Sequence, residues 1–426
     1  MLALGGILIC GPLAGTGHAQ APIMVKRTET RPADEVKSLT AKDLQEAVAR
    51  GTEYLIALQA RSEGADEKSP PCEWSYEGVY RAGGKIPVAY RTGGTAITVM
   101  ALVQAPGYKD DAKRQAAVAE AVKFIIAQNQ HPLMSYKDYD AGYDVRGWGY
   151  TYGLLCFCDL RARGLVPAGQ QEAVTKACEW FIQAIETTQI PVVGGWNYAR
   201  PAGKEKPAAP STFMTPATVQ ALFAAQALGM KVDQPTITKA VTFMEQSIAA
   251  EDADGGKSAG SVTYAGPQNA RRPEKIPGAV GRMCVTEATL AMAGRSSDAR
   301  LTRAVESFAT HWDELDKRRQ KSGTHEGPFG VAPYYFMFAH FYASQAIEML
   351  PAERRAALRE KCDAQLFRVR DDNGSWNDRV FKRSSGYGTA MAMMAIMGPK
   401  TYAGKVEAAK PAEAKPAESK PADAKK

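Results

Sequence analysis

The sequence predicts an all-α fold, an (α/α)6 toroid of six helical hairpins with a disordered C-terminal tail. Three observations support this prediction. Amphipathic segments alternate strictly with segments that are apolar on nearly every side, and there are six of each kind between residues 41 and 398. The last segment is apolar and offers no polar face to cap an open stack of helices. A closed ring buries all six apolar segments, so we prefer it to an open solenoid.

The amphipathic segments carry apolar residues at helical spacing along one side. The first has Leu44, Ala47, Val48, Gly51 and Leu55 at i, i+3, i+4, i+7 and i+11. Similar stripes begin near residues 118, 174, 237, 301 and 358. A helix with one apolar stripe buries only that side. These six segments are therefore predicted to form the outside of the ring.

The apolar segments begin near residues 93, 150, 213, 280, 333 and 387. Helices without a polar face must be buried, so these six are predicted to line the inside of the ring. Their spacing of roughly 50–70 residues lies within or somewhat above the usual range of structural repeats.

The composition is that of a globular protein. Of the 426 residues, 45% are hydrophobic and 23% are charged, which excludes wholesale disorder and collagen-like or disulfide-scaffold classes. The net charge of +7 is too small to indicate a nucleic-acid binder. No apolar run reaches the ~18–20 residues that a transmembrane helix needs.

The two ends of the chain differ from the repeat. Residues 1–19 lack charged side chains apart from a histidine and end in Gly17-His18-Ala19, which predicts a secretory signal peptide cleaved before Gln20. Residues 20–40 are an N-terminal extension, and residues 41–404 are the toroid. Residues 405–426 consist mainly of Lys, Pro, Ala and Glu and are predicted to be disordered. The protein is thus expected to be exported to the periplasm, the cell surface or the medium.

The repeat resembles the prenyltransferase and squalene-oxidase repeat proteins. That family includes squalene–hopene cyclases and protein prenyltransferase β subunits. Gly51, Tyr54-Leu55 and Gln59 match the helical part of its repeat, and Phe124-Ile125 with Gln128 match it more loosely. Its Gly-x-Trp turn is matched at Gly194-Gly195-Trp196 and Gly374-Ser375-Trp376, with a shifted version at Arg146-Gly147-Trp148. The resemblance covers most of residues 41–398 and implies a terpenoid cyclase-like α/α toroid.

The active sites of that family do not carry over to this chain. The acidic cluster of the cyclases has only Glu251-Asp252-Ala253-Asp254 as a counterpart, with different spacing. The zinc site of the prenyltransferases would need an Asp two residues before Cys284, and His340 lies about one helical turn too late. We therefore expect no metal and no cofactor.

The links between segments predict a functional face. Links from an apolar segment to the next amphipathic one are short, whereas links in the other direction are long. In a toroid all long loops lie on one rim, and long loops on a rigid scaffold often carry function. These six loops have a net charge of +5 and the tail from Lys405 has +2, so the remaining chain is neutral.

Eight residues are candidates for a site on that rim. Glu287 is a carboxylate in an otherwise apolar segment and could act as a general acid or pair with Arg282. Aromatic rings near the starts of the apolar segments could bind an apolar or cationic ligand, and loop arginines could bind an anion. The catalytic candidates are Glu287 and Asp144, and the ligand-binding candidates are Trp148, Arg282, Tyr334, His340, Arg271 and Arg272.

Three functions are compatible with these residues. The first is an exported binding or interaction scaffold that holds a lipid, isoprenoid, anionic glycan or protein in the cavity or on the long-loop rim. The second is an enzyme of terpenoid cyclase or prenyltransferase type acting on an isoprenoid or other apolar substrate. The third is a polysaccharide lyase or hydrolase using paired acids such as Asp140 and Asp144. A cavity of ~300–1,000 Å³ would favour a small-ligand site, and a filled ring would favour binding at the rim.

Overall fold

Helices form all of the regular secondary structure in the part of the chain that is described. The computed structural model describes residues 22–36, 38–137, 145–198, 209–268 and 272–406. Within these ranges there are thirteen α-helices, short 3-10 turns and no strand beyond isolated bridges. The α-helices are α1 Ala41–Leu58, α2 Val88–Gln104, α3 Ala112–Gln128, α4 Arg146–Arg163, α5 Gln171–Thr188, α6 Met214–Ala227, α7 Gln234–Gln246, α8 Ile276–Met292, α9 Asp298–Thr310, α10 Trp312–Asp316, α11 Tyr335–Glu348, α12 Ala352–Phe367 and α13 Ser384–Met397.

Six helices form a closed inner ring, which confirms the predicted toroid. Helices α2, α4, α6, α8, α11 and α13 pack side by side in that order, and α13 packs against α2. Helices α3, α5, α7, α9 and α12 lie outside them, each against the inner helix that precedes it in the chain, and α1 packs against α13. The additional short helix α10 follows α9 directly.

Burial follows the two predicted kinds of helix. In the inner helix α11 every residue from Tyr335 to Ile347 is buried. The outer helix α9 buries only Leu301, Ala304, Val305, Phe308 and Ala309, which lie along one side. Among the described residues, no helix is both long enough and apolar enough to cross a bilayer.

The two rims differ as predicted. The outer-to-inner links span 59–87, 129–145, 189–213, 247–275, 317–334 and 368–383, whereas the longest inner-to-outer links span 105–111 and 164–170. All inner helices therefore begin at one rim, which we call the long-loop rim. They end at the other, which we call the short-turn rim.

A repeated tryptophan contact joins three of the long loops to the helices. The backbone N–H groups of Trp74, Trp196 and Trp376 donate to threonine hydroxyls at 2.9, 3.0 and 3.1 Å. Their indole N–H groups donate to the last turn of the preceding outer helix, at Leu55, Ile185 and Leu366. The threonines are Thr95, Thr215 and Thr389. Trp148 does not take part, because it lies inside α4, so its assignment as a shifted turn tryptophan is wrong and Trp74 takes that role.

Two glycines allow the loop backbone to approach the inner helices at this contact. A Cβ atom on Gly94 would lie 2.6 Å from the Trp74 carbonyl oxygen, and one on Gly388 would lie 2.4 Å from the Trp376 carbonyl oxygen. These distances are too short for any larger residue without movement of the backbone. Gly94-Thr95 and Gly388-Thr389 thus form two copies of one local arrangement.

Glutamine side chains join neighbouring outer helices. The amide groups of Gln59, Gln189 and Gln365 donate to backbone carbonyls of Ala117, Thr236 and Ala309 at 2.7–2.9 Å. Gln59 belongs to the predicted repeat pattern, and its amide spans α1 and α3.

The segment after α13 crosses the short-turn rim. Tyr402 and Lys400 both reach Asp159 of α4, at 3.2 Å. The Gly404 N–H donates to the Met292 carbonyl at the end of α8, at 2.9 Å, and the Lys405 N–H donates to the Gln226 side chain. The docked segment therefore extends to Lys405, the first residue of the predicted tail. The predicted signal peptide and the tail beyond residue 406 lie outside the described residues.

The first prediction concerns the tryptophan contact. Replacing Thr95 by Val should leave the buried Trp74 N–H without an acceptor, at a cost of about 1–3 kcal/mol. Thr98→Val is the matched control, because the hydroxyl of Thr98 is equally buried but bonds only to the carbonyl of Gly94 in its own helix. Denaturant unfolding of both variants measures the difference. Equal losses in the two variants would contradict the proposed role of the contact.

The second prediction concerns the C-terminal segment. A chain ending at Val406 should unfold at the same temperature as the full chain, because the residues removed are mainly Lys, Pro, Ala and Glu. A chain ending at Gly398 should unfold several degrees lower, because the buried Asp159 loses two of its partners. Thermal unfolding followed by circular dichroism tests both. A loss of stability already in the longer chain would show that the tail contributes to folding.

Candidate functional site

An aromatic pocket lies on the ring axis at the long-loop rim. We call it the axial pocket, and its volume is about 40 Å³. Ten of its twelve lining residues are aromatic. The lining comprises Tyr76, Tyr80, Tyr90, Trp148, Tyr152, Tyr198, Phe213, Met214, Tyr334, Phe338, Arg379 and Tyr387.

The starts of five inner helices place these rings together. Tyr90, Trp148 and Tyr387 lie in the first turns of α2, α4 and α13, while Phe213 and Tyr334 immediately precede α6 and α11. Trp148 contacts Tyr90 edge-on, with 5.4 Å between ring centroids, and also contacts Tyr152 at 5.1 Å. Residues far apart in the sequence thus meet because the ring closes.

Arg379 is the charged residue that lines the pocket. Its Nε donates to the Tyr76 hydroxyl at 3.0 Å, and its guanidinium lies 5.5 Å from the centre of the Tyr334 ring. The residue is 1% exposed, and its Nη1 has no hydrogen-bond partner. Buried polar groups are normally satisfied, and an exception requires a physical explanation.

Asp378 lies beside this arginine and is completely buried. Neither carboxylate oxygen is hydrogen-bonded to another described residue, and Asp378 is held through its backbone carbonyl by the Gln320 N–H at 2.9 Å. Burial raises the pKa of Asp378 to about 7, although the nearby Arg379 and Arg319 oppose the shift. An aspartic acid with such a pKa exchanges a proton near neutral pH.

A larger groove lies on the same rim. We call it the rim groove. It has a volume of about 610 Å³ and is formed by the first long loop together with Arg383. A neighbouring depression of about 340 Å³ shares Ser62, Glu63, Lys85 and Ile86 with it. The two form one continuous feature, at the position where the first and last hairpins meet.

Two buried glutamates line the rim groove. Glu73 accepts hydrogen bonds from Arg91 at 2.6 and 2.9 Å and from Ser75 at 3.1 Å. Glu77 forms an ion pair with Arg81 at 3.0 Å. Burial raises the pKa of both glutamates, and the adjacent arginines oppose the shift.

One stretch of the first loop separates the groove from the axial pocket. Glu73, Trp74, Ser75 and Glu77 line the groove, whereas Tyr76 and Tyr80 line the pocket. Residues of this one stretch of the loop therefore border both spaces.

Trp148 and Tyr334, two of the predicted ligand-binding residues, both line the axial pocket. Arg282 lies behind the pocket wall, where its Nε donates to the Val262 carbonyl at 3.0 Å and its guanidinium lies 5.7 Å from the Phe213 ring. The structure therefore brings two of these residues together and places the third as a support for Phe213.

Glu287 does not face the cavity mouth, so its predicted position is wrong. It binds Arg300 at the start of α9, at 3.0 and 3.1 Å, and accepts a hydrogen bond from Ser296. The reason is its place near the end of α8, which lies at the short-turn rim. Its partner is therefore Arg300 and not Arg282.

His340 does not lie in the axial pocket. It accepts a hydrogen bond from the Trp312 indole N–H at 2.8 Å and packs against the Phe308 ring. Burial lowers its pKa to about 3, so the imidazole is neutral. The residue faces the outer helices α9 and α10, and the prediction that it contacts a ligand there is wrong.

The remaining candidates lie in loops. Asp140, Asp144 and Arg271 fall outside the described residues. Arg272 is exposed and lines neither the axial pocket nor the rim groove. Across the described ranges, no group of three or more His, Cys, Asp and Glu residues is arranged to hold a metal ion.

Asp378, Glu73 and Glu77 were not among the residues predicted from the sequence. The sequence contains a signal for these residues, because Asp378-Arg379 and Glu73 both lie within three residues of a turn tryptophan. The Trp74 turn lacks the Gly-x-Trp pattern, so the glutamates near it were not considered.

Comparisons with known proteins support the fold. No protein-family model matches the chain, and the comparison with curated proteins finds no match.

An unsaturated glucuronyl hydrolase from Streptococcus agalactiae is 11% identical, with 88% of this chain and 98% of that chain covered and a TM-score of 0.51. A family 76 glycoside hydrolase from a bovine Bacteroides thetaiotaomicron strain is 10% identical, with 83% and 77% covered and a TM-score of 0.50. A type II terpene cyclase from Scytonema is 12% identical, with 84% and 98% covered and a TM-score of 0.44. The first two structures, together with the closed inner ring, show that this chain is an α/α toroid. Membership of the prenyltransferase and squalene-oxidase repeat family is not confirmed.

The third prediction concerns Asp378. Because burial raises its pKa from 3.8 to about 7, the folded state holds a proton that the unfolded state has lost between these values. The protonated side chain therefore favours the folded state. Its contribution is fully present below pH 4 and is lost as the pH rises to 7, which lowers the free energy of unfolding by about 4 kcal/mol through linkage. Asp378→Asn should match the wild type near pH 4 and exceed it at pH 8.

Unfolding as a function of pH provides the measurement. The charged and titratable groups near Asp378 are Arg379, Arg319, Tyr76 and Tyr387, and none of these titrates between pH 4 and 8. Asp313→Asn is the control, because that side chain is 75% exposed. A stability difference between Asp378→Asn and wild type that stays constant with pH would contradict the shifted pKa.

Proposed function

We propose that this chain is an exported glycan-binding protein that holds an anionic glycan in the rim groove. The observation that supports this most directly is the size of the spaces on the long-loop rim. The groove and its neighbouring depression measure about 610 and 340 Å³, within the range of ligand sites, whereas the axial pocket measures about 40 Å³.

The charges of the groove favour an anionic ligand. The described residues that line the groove and its neighbouring depression include five basic ones, Arg61, Arg81, Lys85, Arg91 and Arg383, and three acidic ones, Glu63, Glu73 and Glu77. The net charge is therefore +2. Arginine side chains recognise carboxylates by paired hydrogen bonds, and the buried glutamates and serines provide acceptors for hydroxyl groups.

Another depression on the molecule suits an anion less well. It lies between α5 and the link before α7, and it measures about 760 Å³. Its charged residues are Arg161 and Lys231 against Glu179, Glu186 and Asp233, so its net charge is −1. Charge therefore favours the rim groove, although the depression at the short-turn rim is larger.

The alternative function, an enzyme that cyclises or transfers an isoprenoid, requires a cavity that encloses the chain. An axial pocket of about 40 Å³ is too small for such a ligand. The three tryptophan contacts still support a repeat of the prenyltransferase and squalene-oxidase type, so the proposal is a binding protein built on that repeat. Two of the fold neighbours are named as enzymes that act on glycans, which is compatible with this ligand class.

The fourth prediction tests the groove. Wild type should bind polygalacturonate, an acidic glycan, more tightly than dextran, a neutral one, and this preference should weaken at high salt. The double variant Arg61→Gln, Lys85→Gln removes two exposed charges from the groove and should weaken polygalacturonate binding by about tenfold or more. Isothermal titration calorimetry at low and at physiological salt measures both effects.

Lys231→Gln is the matched control for this experiment. It removes a charge from the depression at the short-turn rim and should leave binding unchanged. An equal loss in the control, or full binding in the double variant, would show that the glycan does not occupy the rim groove. Binding of neither polymer by the wild type would refute the proposed ligand class.

A further inference from the structure

Polar groups at the axial pocket have no hydrogen-bond partner among the residues that the structure describes. The Nη1 of Arg379 has no partner, while its Nε is held by Tyr76. This bond fixes the orientation of the guanidinium, and Nη1 is buried without a partner among the described residues. Both oxygens of Asp378, the adjacent residue, are also unpartnered and buried.

The guanidinium of Arg379 lies among the aromatic rings at the axial pocket. Arg379 is part of the lining, and its guanidinium lies between the rings of Tyr334 and Tyr76, 5.5 and 6.0 Å from their centres. The rings restrict movement and exclude solvent, so a hydrogen bond to this group is strong. An arginine held in this way binds a hydrogen-bond acceptor, and a carboxylate matches the geometry of the planar guanidinium best.

The electrostatic environment favours a negative group at the same place. Helices α2, α4, α6, α11 and α13 all begin at the pocket. The amino end of each helix carries a partial positive charge, and these ends surround the pocket. Asp378 opposes an anion when ionised, but burial raises its pKa to about 7, and the protonated form can instead donate a hydrogen bond.

The volume limits the size of the group. A space of about 40 Å³ suits a cluster of about three heavy atoms, which is the size of a carboxylate. The larger part of such a ligand must lie outside the pocket. The sugar ring, which is bonded directly to the carboxylate, must lie at the mouth of the pocket on the long-loop rim, where the loop that contains Tyr76 also borders the rim groove.

We propose that the axial pocket binds the carboxylate of a uronic acid residue, with Arg379 as the residue that determines specificity. This inference rests on the proposed glycan-binding function and deepens it, because it names the sugar class that the rim recognises. The groove provides general attraction for the polymer. The axial pocket distinguishes a carboxylate from other anionic groups.

The test uses small probes that do not span the groove. Sodium D-glucuronate should bind the wild type at least tenfold more tightly than its methyl ester, which has the same ring without the charged carboxylate. Arg379→Lys keeps the positive charge but loses the planar fork, and it should weaken glucuronate binding by about tenfold. Calorimetry measures these affinities. Binding of dextran sulfate, which is anionic but has no carboxylate, should not change in this variant.

Arg282→Lys is the matched control, because Arg282 is equally buried on the same rim but lies behind Phe213. It should retain glucuronate binding. Equal affinity of the wild type for glucuronate and its ester would overturn the inference, and so would unchanged binding in Arg379→Lys or no binding of glucuronate by the wild type. If Arg379→Lys does not fold, the comparison of acid and ester on the wild type decides.

The two proposals can fail separately. Loss of polymer binding in the Arg61 and Lys85 double variant together with unchanged glucuronate binding in Arg379→Lys would retain the groove and reject the axial pocket. The opposite pattern would retain the carboxylate site and reject the groove as the place where the polymer lies.

Discussion

Closure of the inner ring by the contact between α13 and α2 is the constraint on which the structure depends. An inner helix has no polar face, so it is stable only between two neighbours and behind an outer helix. The last helix has no neighbour on its far side until it meets the first. All six inner helices run in the same direction, because each follows an outer helix through a long loop. Aromatic residues from five hairpins meet on the axis for this reason.

The long loops follow from the same constraint. Each must bring the chain from the end of an outer helix to the start of an inner one without leaving buried backbone groups unsatisfied. In three loops a tryptophan satisfies such groups. Its backbone N–H donates to a threonine hydroxyl of the inner helix, and its indole N–H donates to a backbone carbonyl of the outer helix. The remaining residues of these loops are less constrained and form the rim. Both candidate sites lie directly beside the Trp74 and Trp376 turns.

The sequence predicted the architecture well because periodicity reports burial directly. The stripe of Leu301, Ala304, Val305 and Phe308 could belong only to a helix with one buried side, and α9 buries those residues. Individual sites were harder to predict, because periodicity does not show where along a helix a residue lies relative to the rim. Glu287 illustrates the limit, since it is buried as expected but near the end of α8, where Arg300 of the next helix neutralises it. Asp378 is buried by loop contacts that have no sequence period at all.

The Asp378-Arg379 pair indicates that stability alone did not shape the pocket. Adjacent residues of opposite charge could satisfy each other or bind to nearby groups, as Glu73 does with Arg91 in the rim groove. Instead, both Asp378 oxygens and one Arg379 nitrogen remain unpartnered within a buried, aromatic environment. Such groups reduce the stability of the folded state, and a protein tolerates them where a function needs them. The ion pair at the groove is satisfied, whereas the groups at the axial pocket are not. This contrast is a physical reason to propose that the groove attracts the glycan and that the pocket selects its carboxylate.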